Sequence, residues 1–448
     1  MKKILAVILA LAMMITLFAG CAGGGAKKPE GDSKSGDKSS TGGGKSFEYT
    51  AMWSEGEPHS EWLKGVISQY EKQTGGKVKV TFVGRDVLTK IRTRILSNDP
   101  PDLVDQDGSE ISGALLKGGE ILAEPMDDFL NGPGPDGKAT FKEIYNTEIL
   151  NLYQLDNKVY FVPYVFITSG FYYDKTLFEK VGVEPPETWE EFVACHEAFE
   201  KYGVPFLGAD NIGLYNAYYY YWAVQRVMGS GKFYEAASDK TGQKWTEPGY
   251  LEAAKYVSEM SARGKHMFQD GYEGAVWPAA QNDFAMGKMG ALLCGTWIPN
   301  EVKNMTSPDF KWGFFPFPTV PNGKGQITDM EAYLIGWAVP KGAKNADGAK
   351  EFMKIACTLE NANAMVKNTI NMSPISGTEF PDLLTDVKPY LDNAKSFHKS
   401  YDGVQSDFPE WWSNVFYPIN DELFLGKISP EEFIEKLKTK TAEFYANK

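Results

Sequence analysis

The sequence predicts an α/β protein of two lobes, each a mostly parallel sheet flanked by helices. Stretches with strand character alternate with stretches of helical periodicity, and strand–helix–strand units of this kind place helices on both faces of a sheet. About 400 residues follow a polar N-terminal stretch, too many for one small core, so two lobes are expected. No fixed-period repeat offers another way to organise that length.

The elements follow in order. "FEYTAMW" (47–53) alternates and carries aromatics, so it reads as a strand. Pro58 to Thr74 repeats Trp62, Val66 and Tyr70 on one face and stops at Gly75-Gly76, which predicts a helix. "KVKVTFV" (77–83) is a second strand, and Asp86 to Ser97 a second helix with Val87, Ile91 and Ile95 on its stripe. "PDLVDQDG" (101–108) reads as a short buried strand opening into a loop, followed by a helix that stops at Gly118-Gly119. "NGPGPDGK" (131–138) is a surface loop, and the strand–helix rhythm resumes after residues 159–175. Thr188 with Glu191 forms a capping box for a helix running toward Tyr202, and Ser429-Pro430-Glu431-Glu432 starts the C-terminal helix in the same way. Helical patterns lie between them around 216–228, 248–263, 345–358 and 381–397.

The N-terminus sets the compartment. Lys2 and Lys3 precede an apolar run from Ile4 to Ala19, shorter than a spanning helix usually needs, so residues 1–20 read as a secretory signal. The run ends at Cys21 after Leu17-Phe18-Ala19-Gly20, which resembles the lipobox of bacterial lipoproteins, with Phe18 where leucine is usual. That resemblance implies a lipid-modified Cys21; an ordinary signal peptidase site near Ala19 is the alternative. Residues 22–45 contain eight glycines and nothing aliphatic or aromatic larger than alanine, so 21–45 is a flexible tether reaching about 25–30 Å.

Charge excludes some partners. The first 45 residues hold seven lysines and three acids, so the formal −13 of the chain leaves about −17 on the remainder. So acidic a body disfavours nucleic acid or an anionic membrane surface. Beyond Cys21 the cysteines are Cys195, Cys294 and Cys357, an odd number without CxxC spacing, and buried thiols are expected.

Catalytic and metal motifs are missing. His59, His196, His266 and His398 make no paired ligand spacing. There is no GxSxG elbow, no Walker loop and no GxGxxG between a strand and a helix. "DQDGSE" (105–110) fails as a calcium loop, because its first and twelfth positions fall on Leu103 and Ala114. No two carboxylates stand out as a glycosidase pair. Neither an enzyme nor a cofactor or metal is expected.

Five segments, taken in order, resemble the family 1 extracellular solute-binding proteins of ABC importers, the maltose-binding-protein-like group. They are "PDLVDQDGSEISGALLKGGEILAEPMDDFL", "VPYVFITSGFYYDKTLFEKVGVEPPETWEEF" (Asp174 replacing the usual Asn), "FAMGKMGALLCGTW", "NADGAKEFMKIACTLENANAMV" and "LFLGKISPEEF". The resemblance covers residues 47–448. It implies a type II periplasmic-binding-protein-like fold, with two hinge-linked lobes gripping a ligand in the cleft between them. Hinges would fall near Pro163–Ser169, Lys311–Thr319 and Val339–Ala343. One lobe is then 46–165 with 314–340, the other 166–313 with 341–448. On this frame Asn282–Met286 ends a helix capped by Gly287, Met289–Cys294 is a buried strand, and Pro299 starts the next helix. Trp297 then sits beyond a strand's carboxyl end, where open α/β sheets bind ligands. It is read as a stacking platform, with core packing the alternative.

The resemblance implies a lipid-anchored monomer on the outer face of the cell membrane that passes a carbohydrate, an oligosaccharide, to an ABC permease. Sugars present C–H faces to aromatic rings and hydroxyls to polar groups. Trp53, Tyr164, Tyr218, Trp277 and Trp297 are candidate platforms, and Glu55, Asp107, Asp210 and Glu331 candidate acceptors. Trp412 begins a stripe with Phe416, Ile419 and Leu423 that reads as core, with Trp411 on a neighbouring face. The family's tryptophan falls at or beside Trp412, so both remain candidates. An acidic aromatic cleft also suits a polyamine or other cation, and a surface-tethered carbohydrate-active enzyme is the third reading.

Overall fold

The computed structural model describes residues 45–117, 120–211 and 215–448. The expected leader, Cys21, the tether up to residue 44 and the helix stop at Gly118-Gly119 lie outside the described residues. Among those residues no helix is long and apolar enough to cross a membrane.

The first sheet begins with β1 (Phe47–Ala51), β2 (Val78–Phe82) and β3 (Leu103–Asp107), paired in parallel with β1 in the middle. Burial separates an edge strand from a central one. β2 alternates half-buried with exposed residues, whereas β3 is buried throughout. The helix Pro58–Thr74 connects β1 to β2, with proline in its first turn and Gly75 closing it at φ 73°. Its stripe of Trp62, Val66 and Tyr70 is buried against the sheet.

β4 (Val162–Ile167) forms the far edge of this sheet, and Thr168 alone separates it from β5 (Ser169–Asp174) in the second sheet. β6 (Leu207–Gly208), β7 (Ala291–Gly295) and β8 (Trp312–Phe315) complete the second sheet in the order β8-β5-β7-β6. The chain returns through β9 (Asp329–Glu331) to β10 (Tyr333–Ala338), which inserts between β3 and β4. β11 (Ser396–His398) pairs in parallel with β9, after which Tyr401 and Val404 pack in the second core.

The sheets correct the expectation of mostly parallel pairing. β10 runs antiparallel to both β3 and β4, and β5 antiparallel to both β7 and β8; in the second sheet only β6 and β7 run parallel. Strands that arrive from the other sheet enter from the opposite end, so they oppose those delivered by a crossover helix.

Two crossings also differ from expectation. Phe314 and Phe315 still pair with Tyr172 and Phe171 in the second sheet, so the second crossing begins after β8. Val339–Ala343 is no crossing, because Val339 and Lys341 hydrogen-bond Glu124 and Leu122 of the first lobe. The helices Ala346–Ala356 and Leu359–Thr369 stay there as well. Phe352 packs 5.7 Å from Phe47, and Trp62 Nε1–H donates to the Asn361 carbonyl at 3.0 Å. Residues 341–375, expected in the second lobe, therefore build the first, ending with bridges from Met372 to Phe166 and Ile375 to Tyr145. The third crossing lies within 376–400, where Tyr390 packs 5.8 Å from Phe314. The helix expected over 381–397 is interrupted: a turn at Asp382–Leu384, a short helix at Lys388–Asp392, then β11. Pro389 stands in the first turn of the short helix, where its missing backbone donor costs nothing, and would not be tolerated inside a longer one.

Both capping boxes form, at Thr188/Glu191 and Ser429/Glu432. Cys195, Cys294 and Cys357 are free and buried.

Candidate functional site

β3 leads straight into a helix at Gly108–Ile111, without the expected loop, because Asp107 caps it. Its Oδ1 accepts from the Ser109 and Glu110 amides at 2.9 and 3.0 Å, while the buried Oδ2 has no partner. Burial pushes this acid up to about 7, outweighing the two amides that favour its charged form. The hydroxyls of Tyr153 and Tyr333 lie within reach of its charge, as does Lys399, whose ammonium sits 5.0 Å from the Tyr153 ring.

The second lobe supplies the facing wall. Tyr218 stands in the first turn of the helix Ala217–Met228, with its ring 4.8 Å from Tyr401. Tyr401 is in turn 4.8 Å from Trp412, whose buried Nε1–H has no acceptor. Glu331 sits behind them, fully buried, and feels both Tyr218 and Tyr401. The cluster thus gathers Asp107, Tyr218, Glu331 and Trp412 from the sequence candidates. Tyr153, Tyr333, Lys399 and Tyr401 join it without any sequence signal beyond their aromatic or charged character.

Trp53 and Tyr164 belong to a separate buried network. Trp53 Nε1–H donates to Tyr164 Oη at 2.7 Å, and Tyr164 donates to Asp105 Oδ2 at 2.5 Å. The Met52 amide holds the other oxygen at 2.8 Å. The Trp53 ring stacks 3.7 Å from His59 and lies 4.5 Å from the Arg85 guanidinium. Burial raises Asp105 to about 6. Asp105 lies two residues before Asp107 on β3, with both of its oxygens taken up in this network.

A third group lies at the carboxyl ends of β6 and β7. Trp297 occupies the cap position of the helix Ile298–Val302 and is half-buried, against Tyr215 and Cys294. Asp210 accepts from the Ala280 amide at 2.9 Å and so fixes the start of the helix Ala279–Ala285. Trp277 is 46% exposed and bonds Gln281 at 2.8 Å.

Two candidates fall elsewhere. Glu55 is exposed and paired with Lys64. Trp411 packs into the second core, donating to Thr441 Oγ1 of the C-terminal helix at 3.1 Å, with its ring stacked 6.0 Å from Trp245. Its indole nitrogen is therefore occupied, whereas that of Trp412 is not.

The lobes touch beside the cluster. Lys117 pairs with Asp407, Ser406 Oγ–H donates to Glu110 Oε1 at 3.2 Å, and Gly113 lies against the Ser406 carbonyl. No group of acids, histidines and cysteines among the described residues is arranged to hold a metal ion.

Two α/β lobes, tied by chain crossings and meeting over a polar–aromatic cluster, define a hinged type II binding-protein fold. Residues 54–361 match the bacterial extracellular solute-binding protein family, and the chain belongs to that family. It is 30% identical to the multiple sugar-binding protein of Streptococcus mutans over 70% of this chain and 71% of that one. It is 26% identical to the diacetylchitobiose-binding protein NgcE of Streptomyces coelicolor, over 68% of this chain and 64% of that one. A solved chitin oligosaccharide binding protein shares the fold with TM-score 0.73 at 19% identity, over 90% of this chain and all of the other.

Proposed function

We propose that this protein captures an oligosaccharide between its lobes and delivers it to the permease of an ABC importer, without chemically altering it. On this reading it is a monomer held on the outer face of the cell membrane by a lipid on Cys21, and Cys21→Ser should release it into the medium. The observation that carries the reading is the pair of unpartnered buried atoms, Asp107 Oδ2 and Trp412 Nε1, set among the rings of Tyr218, Tyr401 and Tyr333. An acceptor and a donor flanked by ring faces suit a neutral polyhydroxyl ligand, whose hydroxyls both give and take hydrogen bonds. The sugar-binding relatives support the same ligand class. Trp297 and Tyr215 would extend the site along the second sheet's edge.

A second reading, a polyamine or other cation, is favoured by the buried carboxylate Asp107, whose Oδ2 has no hydrogen-bond partner. A thermal-shift screen of oligosaccharides and polyamines separates the two, since a ligand at 100 times its dissociation constant adds about 2.7 kcal/mol. The proposal predicts shifts with sugars and none with amines; the converse result overturns it. Release of shorter sugars during incubation would instead establish catalysis.

A further inference from the structure

Among the described residues the chain crosses between the sheets at Thr168, within 316–332 and within 376–400, and one carboxylate touches all three crossings. Glu331 ends β9, on the second crossing. Ser169, the first residue past the first crossing, donates its hydroxyl to Oε2 at 2.7 Å. Ser400, at the end of the third, donates to Oε1 at 2.5 Å. Trp222 Nε1–H donates to Ser169 Oγ at 3.1 Å, which directs the serine proton toward Glu331. A second rung, Ser396 Oγ–H to Asp329 Oδ1 at 2.7 Å, joins β11 to β9 two residues away.

Glu331 is fully buried and held by hydroxyls rather than by a cation. The groups facing it are accounted for. Tyr153, Tyr218, Tyr221 and Tyr401 present hydroxyls that feel its charge. His398, its partner in register on β11, is kept neutral by burial at about 4 and lies 2.5 Å from Tyr221 Oη. Arg226 donates instead to the Phe317 carbonyl at 2.9 Å and to Gln225 at 2.6 Å. Lys399 lies over the Tyr153 ring, within reach of Asp107 and Asp402.

We propose that Glu331 is the positioning residue of the hinge: its carboxylate pins the three crossings at one point, and the gain or loss of its proton sets how freely the lobes swing about that point. Burial pushes the acid up to about 7, so the proton exchanges in the neutral range. The neutral acid keeps both ties, because a serine oxygen can accept the acid's own proton. Charged, it must remain in a low-dielectric site without a counter-ion, and local opening to water relieves that penalty. The sign follows. The closed knot binds a proton more tightly than the opened one, so opening grows as pH rises from the ordinary 4.5 toward 7 and levels above it. The identity of the ligand does not enter.

Hydrogen exchange on the full-length chain without ligand, corrected for the intrinsic pH dependence, tests this. Between pH 5 and pH 7 the opening of 162–174, 328–334 and 396–403 should rise together by at least tenfold. Glu331→Gln keeps a neutral bidentate side chain and should abolish the slope, leaving all three segments protected. Glu331→Ala should open all three at every pH; if it does not fold, Ser400→Ala should raise opening while keeping the slope. A slope that survives in Glu331→Gln, or three wild-type segments that open independently, overturns the proposal.

Discussion

The indole of Trp297 lies so close over Gly295 that a β-carbon at position 295 would stand 2.0 Å from Cζ3 of the ring. The glycine at the end of β7 therefore sets where this half-buried ring can lie. If ligand covers about half of the indole's roughly 200 Å², truncation to alanine forfeits ~2.5 kcal/mol, on the order of 50–100-fold in dissociation constant. Trp297→Ala should weaken sugar binding by that factor with a shift of a few degrees in melting temperature. Gly295→Ala, by displacing the ring, should reproduce much of the affinity loss. Calorimetric titration with melting curves decides it, and normal binding with a large melting drop would show that the ring is core.

Trp411 and Trp412 should separate cleanly. Trp411→Phe loses the bond to Thr441, costing about 1 kcal/mol of stability and leaving affinity intact. Trp412→Phe removes an N–H that has no partner in the protein, so melting should fall only by the packing the smaller ring loses. Sugar affinity should fall about 5–10-fold, the worth of one hydrogen bond. Denaturation and titration of both variants check this.

Asp107 should make stability depend on pH. Its folded value of about 7 lies above the ordinary 3.8, so its contribution is complete at low pH and is lost as pH rises through 7. Asparagine caps a helix as well as aspartate does and carries no charge. The melting temperature of Asp107→Asn relative to wild type should therefore climb between pH 4 and pH 7 by on the order of 5 °C, then level. A flat difference would mean that the carboxylate is not buried in solution.

Gly113 should limit closure. A β-carbon there would meet the Ser406 carbonyl oxygen of the opposite lobe at 2.4 Å. Gly113→Ala should hold the lobes apart and cost at least tenfold in affinity with melting unchanged. In small-angle scattering, the contraction expected of wild type on adding sugar should be lost; the same contraction in the variant would reject the contact.

Legibility in the sequence followed the range of the interactions. The helix Pro58–Thr74 was readable to its ends, because proline and a double glycine act locally. Both capping boxes were readable for the same reason. The third crossing was not, since residues 341–375 belong to the first lobe only through partners such as Phe47, Trp62 and Glu124. Glu331 was recognisable as a carboxylate at a strand end, but its engagement with Ser169 and Ser400 depends on residues 162 and 69 positions away. Asp107 stood out in "DQDG", yet its cap and its orphan oxygen both appear only once the helix follows directly.

The position of β10 bears on how the chain is made. Trp337 Nε1–H donates to Tyr49 Oη at 2.9 Å across 288 residues of sequence, so the first sheet cannot close until most of the polypeptide has been synthesised. Early strands must wait with apolar faces exposed, which slows folding and invites aggregation. A nascent chain that cannot fold early also stays threadable, and for a protein expected to leave the cell through a narrow secretion channel that delay is useful.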